Sequence, residues 1–220
     1  RIAEKSSAPV KNRAHTIETR LDLTGDEEGV LVAVRVLNNK ARYNQLELTS
    51  GRMATVTQGD IVVGALGHRK ALRGYSGHLP TSLKPGDTIQ VLNIGGVLGI
   101  CDSANPDVGA PFNCKVLGTV LSFPYLGERI GVPARAGAST LADAPPIDMH
   151  GVPVVALAGT CMDSGKTAAA CAIVSRLRHL GLTVAACKAT GVSLRRDVLA
   201  MEDAGASESA IFSDFGIVTT

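Results

Sequence analysis

The chain has little aromatic surface, and its 220 residues include no tryptophan, three tyrosines and four phenylalanines. Single-stranded nucleic acids stack on aromatic side chains, so this scarcity argues against that class of ligand. The net charge of +2 is also too small to attract a nucleic acid or a membrane surface. We therefore expect neither a nucleic acid nor a membrane as a partner.

Long apolar runs and paired cysteines are missing as well. No run of about eighteen apolar residues is present, and the first residues lack the apolar core of a signal peptide. The five cysteines have neither paired nor metal-like spacing, which is typical of reduced thiols. These absences predict a cytoplasmic protein, and the length suggests one or two domains.

The first half of the chain alternates short β-rich runs with turn signals. The runs occupy residues 16–22, 29–37, 52–57, 60–66, 88–92 and 115–121. Turn dipeptides such as Gly59-Asp60 and Gly86-Asp87 separate several of them. We predict a mostly antiparallel β-barrel or sandwich over residues 1–126, followed by a Pro- and Gly-rich linker over residues 127–151.

Two glycine-rich loops lie in this β-rich part. Asn93-Ile-Gly-Gly follows a predicted strand, as a dinucleotide-binding loop does, but no helix follows it, so we interpret it as a hairpin or a barrel corner. Residues 73–80, Arg-Gly-Tyr-Ser-Gly-His-Leu-Pro, combine glycines with polar side chains and are a candidate lining of a ligand site. The competing interpretation of His78 is a simple exposed histidine.

The clearest functional motif is a glycine-bounded loop that follows the apolar run 154–158. It reads Gly159-Thr160-Cys161-Met162-Asp163-Ser164-Gly165-Lys166-Thr167 and ends in Gly-Lys-Thr. In a nucleotide phosphate-binding loop, backbone N–H groups surround the phosphates, the lysine meets their charge, and the following hydroxyl binds Mg²⁺. The loop therefore predicts ATP or GTP as the ligand and Mg²⁺ as the cofactor.

The context of the loop supports this interpretation. Residues 167–180 have helical periodicity, Gly181 suits a helix C-terminus, and an apolar run ending at Lys188 follows. A strand, loop, helix and strand in this order is the setting that such a loop requires. The spacing is one residue longer than usual, since five residues lie between Gly159 and Gly165.

From residue 154 onward the chain resembles dethiobiotin synthetase and its P-loop relatives, among them the cobyrinate amidation enzymes. Residues 188–197 and 203–206 are also similar to the GTP-binding adapter of molybdopterin-guanine dinucleotide biosynthesis. The longer loop is normal in that group. The resemblance implies an α/β P-loop domain with a parallel sheet over residues 152–220.

The resemblance also implies roles for individual residues. Lys166 would contact the phosphates, Thr167 and Asp197 would bind Mg²⁺, and Lys188 would face the γ-phosphate or an acidic substrate. Asp163 occupies the loop position at which dethiobiotin synthetase also has an acidic residue. The residues themselves leave alternatives open, because a strand-ending lysine often reaches to solvent and Asp197 is placed to cap the helix that follows it.

Three candidate functions are open. The first is a Mg²⁺-dependent ligase or phosphoryl transferase that activates a small carboxylic acid. The second is an ATP- or GTP-dependent adapter or switch whose β-domain docks a partner protein, and a β-domain module with a loop that no longer binds is a third. A homodimer is a further expected form. Because the residues after Val154 supply only about three strands, we expect the P-loop domain to be incomplete at its C-terminus.

Overall fold

The computed structural model describes residues 2–3, 17–18, 27–71, 73–124, 127, 130–137, 150–161 and 164–220. It contains short strands throughout the first part of the chain and two helices near its end. The strands are β1 Ile2–Ala3, β2 Ile17–Glu18, β3 Leu31–Val36, β4 Gln45–Glu47, β5 Met53–Thr55, β6 Ile61–Leu66, β7 Tyr75–His78, β8 Thr88–Val91, β9 Val97–Ala104, β10 Asn113–Ser122, β11 Val132–Pro133, β12 Ala185–Lys188 and β13 Glu208–Ile211. The helices are α1 Lys166–His179 and α2 Arg195–Asp203, and a 3₁₀ turn spans Phe212–Phe215.

Five strands of the largest sheet form a closed ring. Strand β6 pairs with β3, β3 with β10, β10 with β8, and β8 with β9, all antiparallel. The ring closes where β9 returns to β6 in parallel, with Ala65 opposite Val97 and Leu66 opposite Leu98. Strand β1 pairs with β6 in parallel, while β7 adds to β9 and β2 and β11 add to β10.

Strand β3 is buried on both of its faces. Val32 and Val34 point into one apolar cluster, which also contains Ile89 of β8. Leu31 and Ala33 belong to a second cluster on the other face. That second cluster is completed by residues from distant parts of the chain, namely Tyr75, Val120, Ala136 and Val218. The C-terminal residues therefore contribute to the same core as the β-rich part.

The loop that begins at Asn93 is a tight hairpin between β8 and β9, which confirms that interpretation. The side-chain oxygen of Asn93 accepts hydrogen bonds from the N–H groups of Gly95 (2.9 Å) and Val97 (3.1 Å). Gly96 has a φ of +94°, a conformation that glycine adopts without steric cost. No helix follows, so this is not a dinucleotide-binding loop.

Helix α1 and its end agree with the predicted pattern. Gly181 has a φ of +84° and its N–H bonds to the Arg178 carbonyl at 2.9 Å. The N–H of Leu182 reaches the Leu177 carbonyl at 3.1 Å. These two bonds form a Schellman motif, which satisfies carbonyls that the helix leaves unpaired. The chain then enters β12, which pairs in parallel with β13.

The predicted α/β P-loop domain with a parallel sheet is wrong. The fold is mostly β, with 33% strand and 15% helix, and its large sheet is mixed. The run 154–158, expected as the first parallel strand, is in no strand, and Val154 and Val155 are 70% and 65% exposed. A parallel strand needs paired edges and cover on both faces. In the described structure β12 pairs only with β13, and these apolar side chains stay at the surface.

The predicted linker lies partly against the ring. Strand β11 pairs with β10, and Ala136 is buried and donates its N–H to the Gly29 carbonyl at 2.7 Å. Residues 138–149 lie outside the described residues, so the division of the chain at 127–151 stays a prediction. Neither of the helices described here is long and apolar enough to cross a membrane.

Candidate functional site

The glycine-bounded loop turns sharply at Gly165 and leads directly into α1. Gly165 is the N-cap of the helix and has a φ of +85°. This left-handed conformation is costly for residues with a Cβ atom, which explains the glycine at this position. No acidic residue occupies the first turn of α1. The unpaired N–H groups of that turn therefore face no carboxylate from their own helix, which suits an anionic ligand.

The side chain of Lys166 folds back over its own loop. Its ammonium donates hydrogen bonds to the Cys161 carbonyl at 2.7 Å and to the Ser164 hydroxyl at 3.1 Å. Both partners lie within the predicted phosphate loop, so the head group of Lys166 lies against residues of its own loop. Its predicted contact with phosphates stays a prediction.

Gly159 is the other end of this curled loop. A Cβ atom there would lie 2.5 Å from the Ser164 hydroxyl and 3.1 Å from Lys166 Cδ. A larger residue there would require the side chains of Ser164 and Lys166 to move. Gly159 therefore lies close to the residues at the other end of the motif.

The remaining residues of the motif are placed as follows. Thr160, Cys161 and Ser164 are exposed, and Thr167 is half-buried at the second position of α1. Met162 and Asp163 lie outside the described residues, so their predicted contribution to the loop stays a prediction.

Lys188 and Asp197 are brought together, although they are distant from Lys166 in the sequence. Lys188 lies at the end of β12, and its ammonium donates to Asp197 Oδ2 and, at 2.6 Å, to the Val192 carbonyl. The side chains are only 15% and 20% exposed, which strengthens their attraction. Lys188 is thus a paired residue and not one that simply reaches to solvent.

Asp197 does not cap helix α2, so that alternative is wrong. It is the third residue of the helix, whose N-cap is Leu194 and has no side-chain capping bond. Its carboxylate is used by Lys188 instead. Its role as a Mg²⁺ ligand is untouched by this finding and stays a prediction.

A residue of the β-rich part supplies the missing cap. The carboxylate of Glu47, at the end of β4, accepts the N–H of Arg195 at 2.7 Å and the N–H of Arg196 at 3.0 Å. Glu47 is 4% exposed, and burial raises the pKa of its carboxyl while the two N–H bonds act against that rise. The sequence contained one usable signal, because the helix begins at Leu194 without a capping side chain of its own.

The two groups of predicted site residues are not bonded directly to each other in the described structure. Across the described residues, no hydrogen bond or ion pair joins Lys166 or Thr167 to Lys188 or Asp197. The same residues contain no group of three or more His, Cys, Asp or Glu side chains that could hold a metal ion. A Mg²⁺ ion with few protein ligands is compatible with this, since such ions are commonly held by one or two carboxylates and by substrate phosphates.

Comparison with known proteins returns no match. No protein-family model matches the chain, and neither the curated proteins nor the solved structures include a match. The resemblance to dethiobiotin synthetase therefore stays a prediction that depends on the residues of the loop.

Removing the Glu47 carboxylate tests its capping of α2. We expect Glu47→Ala to lower the free energy of unfolding by about 1–2 kcal/mol, because two helix N–H groups lose their acceptor. Urea denaturation followed by circular dichroism measures this change. Glu208→Ala is the matched control, because Glu208 is exposed in β13 and its loss should cost less than about 0.5 kcal/mol. Equal stability of the two variants would contradict the capping role.

Proposed function

We propose that the loop of residues 159–167 binds the phosphate groups of ATP or GTP together with Mg²⁺. The observation that carries this proposal is the position of Lys166, whose ammonium bonds to the Cys161 carbonyl and the Ser164 hydroxyl of the loop. The left-handed glycine at position 165 supports it by directing the first N–H groups of α1 toward the loop.

In this proposal the residues of the loop divide the work of binding. Backbone N–H groups between Gly159 and Gly165 hydrogen-bond the phosphate oxygens, and Lys166 exchanges its two loop acceptors for phosphate oxygens of higher charge. The hydroxyl of Thr167 is the first Mg²⁺ ligand. Mg²⁺ supplies charge neutralisation at the β- and γ-phosphates when it is bound.

Asp197 and Lys188 form the second part of the proposed site. The hydrogen bond to Lys188 uses Oδ2 of Asp197, and a carboxylate has a second oxygen with which to meet a metal ion. Lys188 keeps that carboxylate in place and adds a positive charge. This charge suits either the γ-phosphate or the carboxylate of a small acid substrate.

A ligase or phosphoryl transferase is the activity that these residues suit best. The γ-phosphoryl group would pass to an oxygen of a small carboxylic acid, the bond to the β-phosphate oxygen would break, and the nucleoside diphosphate would leave with that electron pair. Lys166 and Lys188 would stabilise the negative charge on the transferred group, and the lysines need no proton transfer to do so.

A nucleotide-dependent switch is the second candidate, and Glu47 favours it. This carboxylate belongs to the β-rich part and holds the N-terminus of α2, two residues before Asp197. A change in the contacts of Asp197 would therefore affect helix α2, whose first N–H groups are hydrogen-bonded to Glu47 of the β-rich part. Such a coupling would let a partner protein docked on that part respond to the bound nucleotide.

The first test concerns Lys166. We expect Lys166→Ala to weaken the binding of Mg²⁺-ATP and Mg²⁺-GTP at least about 100-fold, because a charge-assisted bond to phosphate contributes about 3 kcal/mol. Isothermal titration calorimetry measures both affinities. Lys84→Ala, which removes an exposed lysine of a turn, should bind as the unaltered chain does. Unchanged affinity in Lys166→Ala would exclude nucleotide binding at this loop.

The second test separates the metal role of Asp197 from its ion pair. We expect Asp197→Asn to lower nucleotide affinity about tenfold in Mg²⁺ and to have little effect in EDTA, as for a residue that positions a metal. Lys188→Gln breaks the same ion pair and should retain the gain in affinity that Mg²⁺ produces. If both variants lost the Mg²⁺-dependent gain in nucleotide affinity equally, the ion pair alone would explain the result and Asp197 would not be a metal ligand.

The third test distinguishes the two candidate functions. For a ligase or transferase, release of phosphate or nucleoside diphosphate should rise severalfold when a mixture of small carboxylic acids is added, since the acid accepts the phosphoryl group. For a switch, the release should be unaffected by these acids and should rise with a protein partner. Lys166→Ala is the background control, because neither stimulation should survive in it.

A further inference from the structure

Arg69 is a buried cation without a buried anion beside it. The residue is 7% exposed and lies between β6 and β7, where its backbone pairs with Gly77 through two bonds of 2.9 Å. Its Nε atom is fully buried and has no hydrogen-bond partner. Across the described part of the chain, no carboxylate lies within ion-pair distance of its guanidinium. A buried charge of this kind is normally paired.

Tyr43 is a polar side chain that interacts electrostatically with Arg69, and it does not supply the missing negative charge. Burial is the main influence on the pKa of Tyr43 and raises it, while Arg69, the Ile94 N–H and Arg196 act in the opposite direction. The hydroxyl thus stays neutral near pH 7. The described residues provide no acceptor for its hydrogen, which leaves the hydroxyl able to donate.

The two side chains converge at Gly74, in the glycine-rich loop of residues 73–80. A Cβ atom at Gly74 would lie 3.9 Å from Arg69 Nη2 and 4.0 Å from the Tyr43 hydroxyl. Gly74 has a φ of +125°, so the position also selects against a side chain through its backbone. The guanidinium and the hydroxyl therefore both lie next to the Cα atom of Gly74, on the side where another residue would carry its side chain.

The backbone of Tyr43 is itself unusual. Its φ of +52° is a left-handed conformation that a bulky residue rarely adopts, and such conformations cluster at functional sites. Its ring packs edge-on against Tyr75, with the ring centroids 5.6 Å apart. The Tyr75 hydroxyl is engaged by Lys40 at 2.5 Å. The ring of Tyr43 is therefore held at a fixed angle beside Arg69.

We propose that Arg69, Tyr43 and the open face of Gly74 form a binding site for a small oxyanion, either a phosphate or the carboxylate of a small molecule. The guanidinium provides charge and paired N–H donors, which match the geometry of both groups. The Tyr43 hydroxyl adds a further donor, and the exposed Arg196 extends the positive field. Tyr43 is only half-buried, so part of its side chain meets solvent. This site shares no residue with the proposed nucleotide loop.

Calorimetric titration of the whole chain tests the proposal. The titrations use the Lys166→Ala background, so that the 159–167 loop contributes no phosphate binding, and they hold the ionic strength constant with NaCl. Inorganic phosphate and succinate are titrated separately, and the stronger of the two identifies the kind of oxyanion. Saturable binding of at least one is expected. Failure of both to bind would overturn the proposal, while leaving nucleotide binding in the unaltered chain unaffected.

Three variants then assign the binding to these residues. Arg69→Gln should weaken it at least about tenfold, and Tyr43→Phe about three- to tenfold, since each removes a donor. Arg73→Gln is the matched control, because Arg73 is exposed in the same loop and should be neutral. Unchanged affinity in Arg69→Gln would overturn the proposal. If that variant does not fold, Tyr43→Phe decides, because it keeps the ring and removes only the hydroxyl.

Discussion

The carboxylate of Glu47 connects the β-rich part of the molecule to its C-terminal elements. A helix that starts without a capping side chain leaves N–H groups that need an acceptor, and Glu47 supplies both of its oxygens to α2. These bonds fix the first turn of α2, which contains Arg196 and also Asp197, the partner of Lys188. Each proposed site therefore has one residue in the turn that this buried acid caps, and the desolvation of the acid is offset by helix N–H groups.

The three cationic side chains of the proposed sites differ in the partners that balance their charge. Lys166 bonds to a carbonyl and a hydroxyl oxygen of its own loop. Lys188 forms an ion pair with Asp197, whereas Arg69 is buried and its Nε has no hydrogen-bond partner. Neutral acceptors are weaker partners for a cation than a charged ligand is. An anion can therefore displace the partners of Lys166 more readily than those of Lys188.

Local patterns predicted the parts of the site whose structure is decided by neighbouring residues. The glycine at position 165, the helix that follows and its end at Gly181 all depend on backbone conformations a few residues apart. Strand pairing depends on distant partners, and for that reason the parallel sheet expected around 154–158 was predicted wrongly. The cap from Glu47 joins residues 148 and 149 positions apart, and no local pattern indicates which distant acid reaches a helix.

The parallel contact between β6 and β9 has a consequence for how the chain reaches this structure. Strands β8 and β9 are joined by a short hairpin whose turn is organised by Asn93, so their pairing is local and rapid. Closure of the ring instead requires β9 to find β6, which β3 already pairs on its other edge. Such non-local steps cost loop entropy before they gain contacts. The pairing of β3 with β10 joins residues still farther apart in the sequence, such as Val34 and Val116. We therefore expect the hairpin to form before the ring of strands is complete.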